Sequence, residues 1–220
     1  MITCFLNARD QVSLLRPMVH RLLGLSLDVV IIDNASTNPE LLDYYETADV
    51  RVIRCRRNLG SRAGWICGAV DALATDYYLY SDTDLDLTAV PDDFPEVLKA
   101  GLDLSPWAIC AGLSLDIDDL PASNPAAQRS IACEVRYWRN RCEGGFWRAG
   151  TDTTMALYRK GRGTDGRDFA IRSARPYTAK HLPWYYTKTN RPPDDYMYFL
   201  RNCCRHQSSN SDLLMQMLGE

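Results

Sequence analysis

The sequence contains no C-x-x-C, which removes the spacing of a zinc knuckle or a thioredoxin-like motif. It has only three histidines, His20, His181 and His206, and their spacing does not make a zinc site. No G-x-G-x-x-G follows the first apolar run, so dinucleotide binding has no support. There is no G-x-x-x-x-G-K-[ST] phosphate loop and no G-x-S-x-G nucleophile elbow. No window of about 18 apolar residues occurs, so no membrane-spanning helix is expected. The start, MITCFLNARDQ, lacks the basic n-region and the long apolar h-region of a secretion signal. A basic excess is also missing. Lys+Arg total 25 against 28 Asp+Glu, a net charge of -3. That balance argues against a general nucleic-acid binder and leaves room for a local basic groove. Internal repeats and low-complexity tracts are absent.

What is present is an ordinary globular composition, 46% hydrophobic and 24% charged over 220 residues. The length suits one large domain, or one domain with a small subdomain. Eight cysteines stand at 4, 55, 67, 110, 133, 142, 203 and 204. Cys4, Cys67 and Cys110 lie in apolar runs, where a thiol behaves as a small hydrophobe. The expectation is a reduced, cytoplasmic protein; the rival is a secreted disulfide protein, for which the start gives no signal.

Ile2 to Leu6, Asp28 to Ile32, Val50 to Cys55 and Asp76 to Ser81 read as four strands. Between them, helices are expected from about Arg16 to Leu23 with Pro17 at the first position, over PELLDYYET with Asn38 as cap, and from about Arg62 to Leu73. Alternating strands and helices are the signature of βαβ units and a parallel sheet. The second half is less regular. A helix is expected over Pro91 to Ala100, a fifth strand over Trp107 to Leu113 and a loop over 114–127. Another helix is expected over about 126–141, with Ile131, Val135 and Trp138 on one face. Strand-like segments surround GTDTT between Phe146 and Tyr158, and residues 159–168 have the Gly- and charge-rich composition of a mobile segment. A polar linker and a short amphipathic helix close the chain.

In an open parallel sheet, ligands sit beyond the C-terminal strand ends. Asn7 and Arg9, then Asp33, Asn34 and Ser36, then Arg57, Asn58 and Gly60, and finally Asp82, Asp84 and Asp86 stand there. Alternate residues of an extended segment point to one side, so Asp82 and Asp84 converge, with Asp86 as a third candidate. Like charges this close oppose folding unless a hard divalent cation neutralises them. The bland alternative for D-x-D is a solvated acidic turn. An EF-hand fails, because Leu87 stands where the loop requires Gly and Pro91 interrupts it.

Taken in order, ITCFLNARD, VVIIDNAST, RRNLG and YLYSDTD resemble the amino-terminal half of GT-A glycosyltransferases, in particular the family 2 type. The resemblance covers about residues 1–90. It extends more loosely through GTDTTMALYR and YTAKHLPWY, which look like downstream signatures of a bacterial and phage branch. It implies a GT-A-like, Rossmann-type α/β fold with a mostly parallel sheet flanked by helices and an irregular acceptor-side half. Residues 1–90 would form the nucleotide-sugar-binding half, 91–205 the acceptor-side half and 206–220 a tail, within one domain over 1–220.

The resemblance also implies roles. Asn7, Asp33, Arg57, Asn58, Gly60 and Asp82 would contact the donor nucleotide. Asp82 and Asp84 would hold a metal, with His181 completing the shell, and Asp152 would be the base of an inverting transfer. The implied donor is a nucleotide-diphosphate sugar, with UDP-sugar favoured, and the acceptor is the hydroxyl of a carbohydrate or another molecule. A neutral imidazole ligand makes Mn²⁺ the expected ion over Mg²⁺. The short acceptor half leaves room for a homodimer. Two rivals remain at this point, a nucleotidyltransferase on a related sheet and an inactive nucleotide-sugar-binding protein. Each candidate also has a structural reading: Asp33 bonding its own loop, Asn58-Leu59-Gly60 a simple turn, Asp152 a turn cap, His181 a packed histidine. Individually, Trp107, Trp138, Trp147 and Trp184 read as core or rim; one or two can stack on the acceptor sugar. Arg136, Arg139 and Arg141 read as a solvated helix face.

Overall fold

A computed structural model describes residues 1–152, 154–162, 169–202 and 209–220. The first part of the chain alternates as the sequence predicts: β1 (Thr3–Ala8), α1 (Val12–Gly24), β2 (Asp28–Asp33), α2 (Pro39–Thr47), β3 (Arg51–Arg54), α3 (Ala63–Ile66), α4 (Ala69–Leu73) and β4 (Tyr77–Asp82). The second part contains β5 (Leu85–Asp86), α5 (Phe94–Leu104), β6 (Cys110–Gly112), β7 (Ser114–Leu115), α6 (Pro125–Glu134), β8 (Trp147–Arg148), β9 (Ala156–Arg159), β10 (Ala170–Arg172), β11 (Thr178–His181), α7 (Asp194–Asn202) and α8 (Ser209–Leu218). Among the described residues, one sheet of eight strands runs β3-β2-β1-β4-β9-β6-β10-β8, and a small sheet of three runs β5-β11-β7. Strands β3, β2, β1 and β4 are mutually parallel, and β9 is antiparallel to β4 and β6. The fold is α/β, with a mostly parallel sheet flanked by helices.

Both faces of the sheet are covered, which explains why its strands read as continuous apolar runs. Cys4, Leu6 and Ala8 face the core shared with α1 and α5, while Phe5 joins Tyr78, Tyr80, Ala63 and Val70 beneath α3 and α4. This alternation fixes the rim, since Asn7 continues the Phe5 face and Asp82 continues the Tyr78 and Tyr80 face. The two are direct partners across the β1–β4 ladder. A third cluster joins Leu14 of α1 to Tyr196, Met197 and Leu200 of α7 and to Leu214 and Leu218 of α8. That helix is the amphipathic one expected at the chain's end.

Several expectations need correction. Helix α1 begins at Val12, with Pro17 inside it and not at its first position. Proline removes the bond to the Ser13 carbonyl, but Asp195 of α7 anchors the turn before it. Its two oxygens accept from the Ser13 amide at 2.7 Å and the Ser13 hydroxyl at 2.6 Å. The single helix expected over Arg62 to Leu73 is two short ones, because Gly68 adopts φ +79° and breaks the i→i+4 ladder. The expected loop over 114–127 contains β7 and the start of α6. Helix α6 stops at Glu134, followed by a 3₁₀ turn over Val135–Trp138. Its buried face is Ala126, Ala127, Ser130 and Glu134, while Val135 is 41% exposed. A long-range ion pair, described below, draws Glu134 inward and overrides the apolar pattern.

The Asn38 cap is as expected, accepting from the Glu40 and Leu41 amides at 2.9 and 3.3 Å. Cys4, Cys55, Cys67, Cys110, Cys133 and Cys142 are free thiols. Residues 163–168 of the stretch read as mobile, together with Cys203, Cys204 and His206, lie outside the described residues. No helix of the described residues is long and apolar enough to cross a membrane.

Candidate functional site

The rim at the ends of β1, β2, β3 and β4 is tied together by side-chain amides. Asn7 Nδ2 donates to Asp82 Oδ1 at 3.0 Å and lies 3.5 Å from the Gly60 carbonyl. Asn34, which the sequence places on the rim without a role, clamps the same loop. It donates to Gly60 O at 2.9 Å and accepts from the Leu59 amide at 2.7 Å. Asn58 Oδ1 accepts from the Gly60 amide at 2.8 Å. The Tyr80 hydroxyl holds the next residues, donating to Ser61 O at 3.0 Å and accepting from the Gly64 amide at 3.2 Å. Asn7, Asn58, Gly60 and Asp82 are therefore brought together. Arg57 is exposed and has no hydrogen bond or ion pair among the described residues. Asp33 sits below the rim at 3% exposure. Its Oδ1 accepts from the Ser36 amide at 3.0 Å and the Tyr45 hydroxyl at 3.3 Å.

The segment after β4 alternates. Ser81, Thr83, Leu85 and Leu87 are buried, and Asp82, Asp84 and Asp86 are half-buried on the other side. Asp86 does not join the rim, because its Oδ1 accepts from the amide and hydroxyl of Thr88 at 2.8 and 2.7 Å. Asp84 meets His181 instead, with Oδ2 to Nε2 at 3.3 Å. The small sheet makes this meeting possible. Strand β11 pairs antiparallel with β5, setting His181 opposite Leu85, and the Leu182 amide donates to Asp84 O at 2.9 Å. Trp184 packs its ring 4.6 Å from the imidazole.

Burial alone would lower the basicity of His181, but Asp84, with smaller help from Asp82 and Glu134, outweighs it and the pKa is raised. Burial would likewise raise Asp84, and the facing imidazole takes it below the ordinary carboxylate value. A cation bound there would compete with a proton for these two groups. Adjacent ligands about 2.1 Å from an ion stand roughly 3 Å apart, so the 3.3 Å separation of Asp84 and His181 fits two neighbouring positions of one shell. Among the described residues no group of three His, Cys, Asp or Glu is gathered around one point. Asp84 and His181 form a close pair, with Asp82 beside it, engaged by Asn7.

Asp152 is exposed at the end of the segment Gly150–Asp152, and neighbouring Thr153 lies outside the described residues. The segment itself is firmly held. The Thr151 hydroxyl is 3.2 Å from Cys110 Sγ, and a Cβ on Gly112 would stand 2.5 Å from Thr151 Cγ2, so only glycine allows this approach. Arg172, 2% exposed, donates from Nε to Gly150 O at 2.7 Å and from Nη1 to Glu134 Oε2 at 2.7 Å. Burial raises the Glu134 pKa. Arg172 counteracts that only in part, and Asp152 is close enough to push it further up. Glu134 and Arg172 are functional-site neighbours that sequence reasoning missed. A basic residue in a short strand and an acid at a helix end carry no local signal of being partners.

Among solved structures, the chain is similar in fold to S. aureus TarS 1-349, with a TM-score of 0.50 and 11% identity. The match covers 98% of this chain and 70% of that one. It is also similar to GalNAc-T7, solved with UDP, GalNAc and Mn²⁺, with a TM-score of 0.51 and 16% identity. Here 81% of this chain and 43% of the other are covered. The fold is GT-A. A longer TarS structure is matched over 42% of its length, so this chain spans less than half the length of the larger proteins it is similar to. No family model and no curated protein matches the sequence. Within the GT-A framework, the amide-tied rim and the Asp84–His181 pair lie at the carboxyl ends of the parallel strands, where such open sheets bind ligands.

Proposed function

We propose that the protein is a glycosyltransferase that moves a sugar from a nucleotide-diphosphate donor, UDP-sugar favoured, to an acceptor hydroxyl with inversion. The observation that carries this reading is the meeting of Asp84 with His181 at 3.3 Å beside the Asn7–Asp82 bond, on the rim of a GT-A sheet. Asn7, Asn34 and Asn58 hold the Leu59–Gly60 turn as one wall for the nucleotide, and Arg57 is free to close over it. Asp33 would set the depth of the base or ribose from below. Asp84 and His181, with Asp82, would hold a divalent cation, Mn²⁺ over Mg²⁺, and GalNAc-T7 was solved with Mn²⁺ and UDP. Such an ion supplies charge neutralisation for the departing nucleoside diphosphate. Asp152 would accept the proton of the acceptor hydroxyl as it attacks the anomeric carbon. The domain reading goes with this one: residues 1–90 serve the donor and 91–205 the acceptor.

The nucleotidyltransferase alternative expects a glycine-rich basic loop directly after β1, and NARDQ has no glycine. An inactive binding protein keeps nucleotide affinity without turnover. Two measurements separate these readings. UDP with Mn²⁺ is expected to raise the melting temperature, following RT ln(1 + [L]/Kd), while NAD and ATP do not. Donor screening across UDP-, GDP- and dTDP-sugars is expected to release nucleoside diphosphate into water, and Asp84→Asn is expected to remove the Mn²⁺-dependent part of the thermal shift. A full shift in Asp84→Asn would show the metal assignment to be wrong. Asp152→Asn is expected to slow transfer by about 10²–10⁴-fold, read as product formation at saturating donor.

A further inference from the structure

Beyond the Asp152 segment, one face of the sheet edge carries an alternating set of guanidinium groups and aromatic rings. Strand β8 is the outermost strand, and Trp147 stands directly opposite Arg172 on one side and Arg141 on the other. Directly paired residues share a face, so Arg172, Trp147 and Arg141 form a row. The Arg141 guanidinium lies over the Trp147 ring at 4.9 Å, and Trp147 meets Trp138 edge-on at 5.7 Å. Arg175 covers Trp138 at 4.6 Å, and Arg172 covers Tyr137 at 4.3 Å. The row begins at Gly150 O, which Arg172 holds, and runs outward from Asp152.

The charges in this row are not equivalent. Arg172 is buried and neutralised by Glu134, and Arg175 pairs with Asp118. Arg141 is exposed, and no acidic group pairs with it among the described residues. A guanidinium held against an indole loses less freedom when it meets an acid group, which it can grip through two N–H donors. Arg141 and Arg175 each take one face of a ring, Trp147 and Trp138, which leaves less open stacking platform for nucleobases. Sugar C–H groups pack on the ring surface that remains, and the acid group finds Arg141.

We infer that the acceptor is an acidic saccharide, carrying carboxylate or phosphate ester groups, that lies along Trp147, Arg141, Trp138 and Arg175 and presents its hydroxyl to Asp152. This rests on the reading of Asp152 as the acceptor base. The surface acts as a specificity element: it selects the acceptor by charge and leaves the donor chemistry to the rim at the ends of β1 to β4.

The test is binding, read by tryptophan fluorescence and by calorimetry. The probes are a galacturonic acid oligomer, a phosphorylated dextrin, a neutral dextrin and a single-stranded oligodeoxynucleotide. At least one acidic saccharide is expected to bind about tenfold or more tightly than the neutral dextrin, with affinity falling as salt is raised. Arg141→Ala is expected to weaken that binding about tenfold, and Arg141→Lys to recover part of it. Arg148→Ala removes a charge from the other face of the same strand, where Arg148 covers Trp107 at 4.7 Å, and is expected to change nothing. Equal binding of acidic and neutral dextrins, or an Arg141→Ala variant with wild-type affinity, overturns the inference. Tighter binding of the oligonucleotide than of either acidic saccharide makes the face a nucleic-acid surface and also overturns it. The UDP-dependent thermal shift is measured on the same wild-type preparation. A protein that binds the acidic saccharide without any UDP shift sinks the donor reading alone, and one with the shift but no preference for acidic saccharide sinks this inference alone.

Discussion

At the scale of single residues, the most consequential contact is the buried Arg172–Glu134 pair. Removing one partner of such a pair leaves an uncompensated charge in a dry place. Arg172→Ala is expected to lower unfolding stability by about 3–5 kcal/mol, measured by urea denaturation. The double variant Glu134→Leu/Arg172→Met is expected to recover most of that loss, while transfer stays impaired because Gly150 O has lost its donor. Gly112→Ala is expected to destabilise by about 1–3 kcal/mol, since its new methyl displaces Thr151. The sequence made the D-T-D alternation legible, because period-two exposure needs only local backbone. Glu134 and Arg172, 38 positions apart, were not legible, since the energy that buries both exists only once α6 and β10 are neighbours.

At the scale of elements, propensity and tertiary bonding compete visibly. Strands β1, β2 and β4 follow from apolar runs, β3 from the alternation of Val50 to Cys55, and α2 from Asn38 and Pro39, so all were readable. Helix α1 starts earlier than Pro17 suggests, because Asp195 supplies from another helix the acceptors that its first turn needs. Asp195→Ala is therefore expected to cost about 1–2 kcal/mol and to fray the turn before Pro17, seen as faster amide exchange at Leu14 and Leu15. The face of α6 was misread for a related reason. Ile131 and Val135 have the right spacing, but the helix turns Ala126, Ala127, Ser130 and Glu134 inward, the Glu134–Arg172 pair joining the two alanines in setting that face.

At the scale of the whole molecule, the last helix braces elements that reach the rim. Helix α8 buries Leu214 and Leu218 in the cluster that holds Leu14, in the first turn of α1 just past β1, and Tyr186, which lies close enough to Asp84 to feel its charge. Truncation after residue 208 is expected to cost up to about 3–6 kcal/mol from those two side chains, seen as a lower melting temperature. What the sequence could not disclose was how its halves are joined, because a two-residue strand such as β5 has too few side chains to announce itself. That strand has a consequence during synthesis on the ribosome. Leu85 and Asp86 emerge early, yet their hydrogen-bonding edge stays bare until Lys180 and His181 have been translated. The nascent chain carries an open edge until β11 follows, and Asp84 gains its imidazole partner only then.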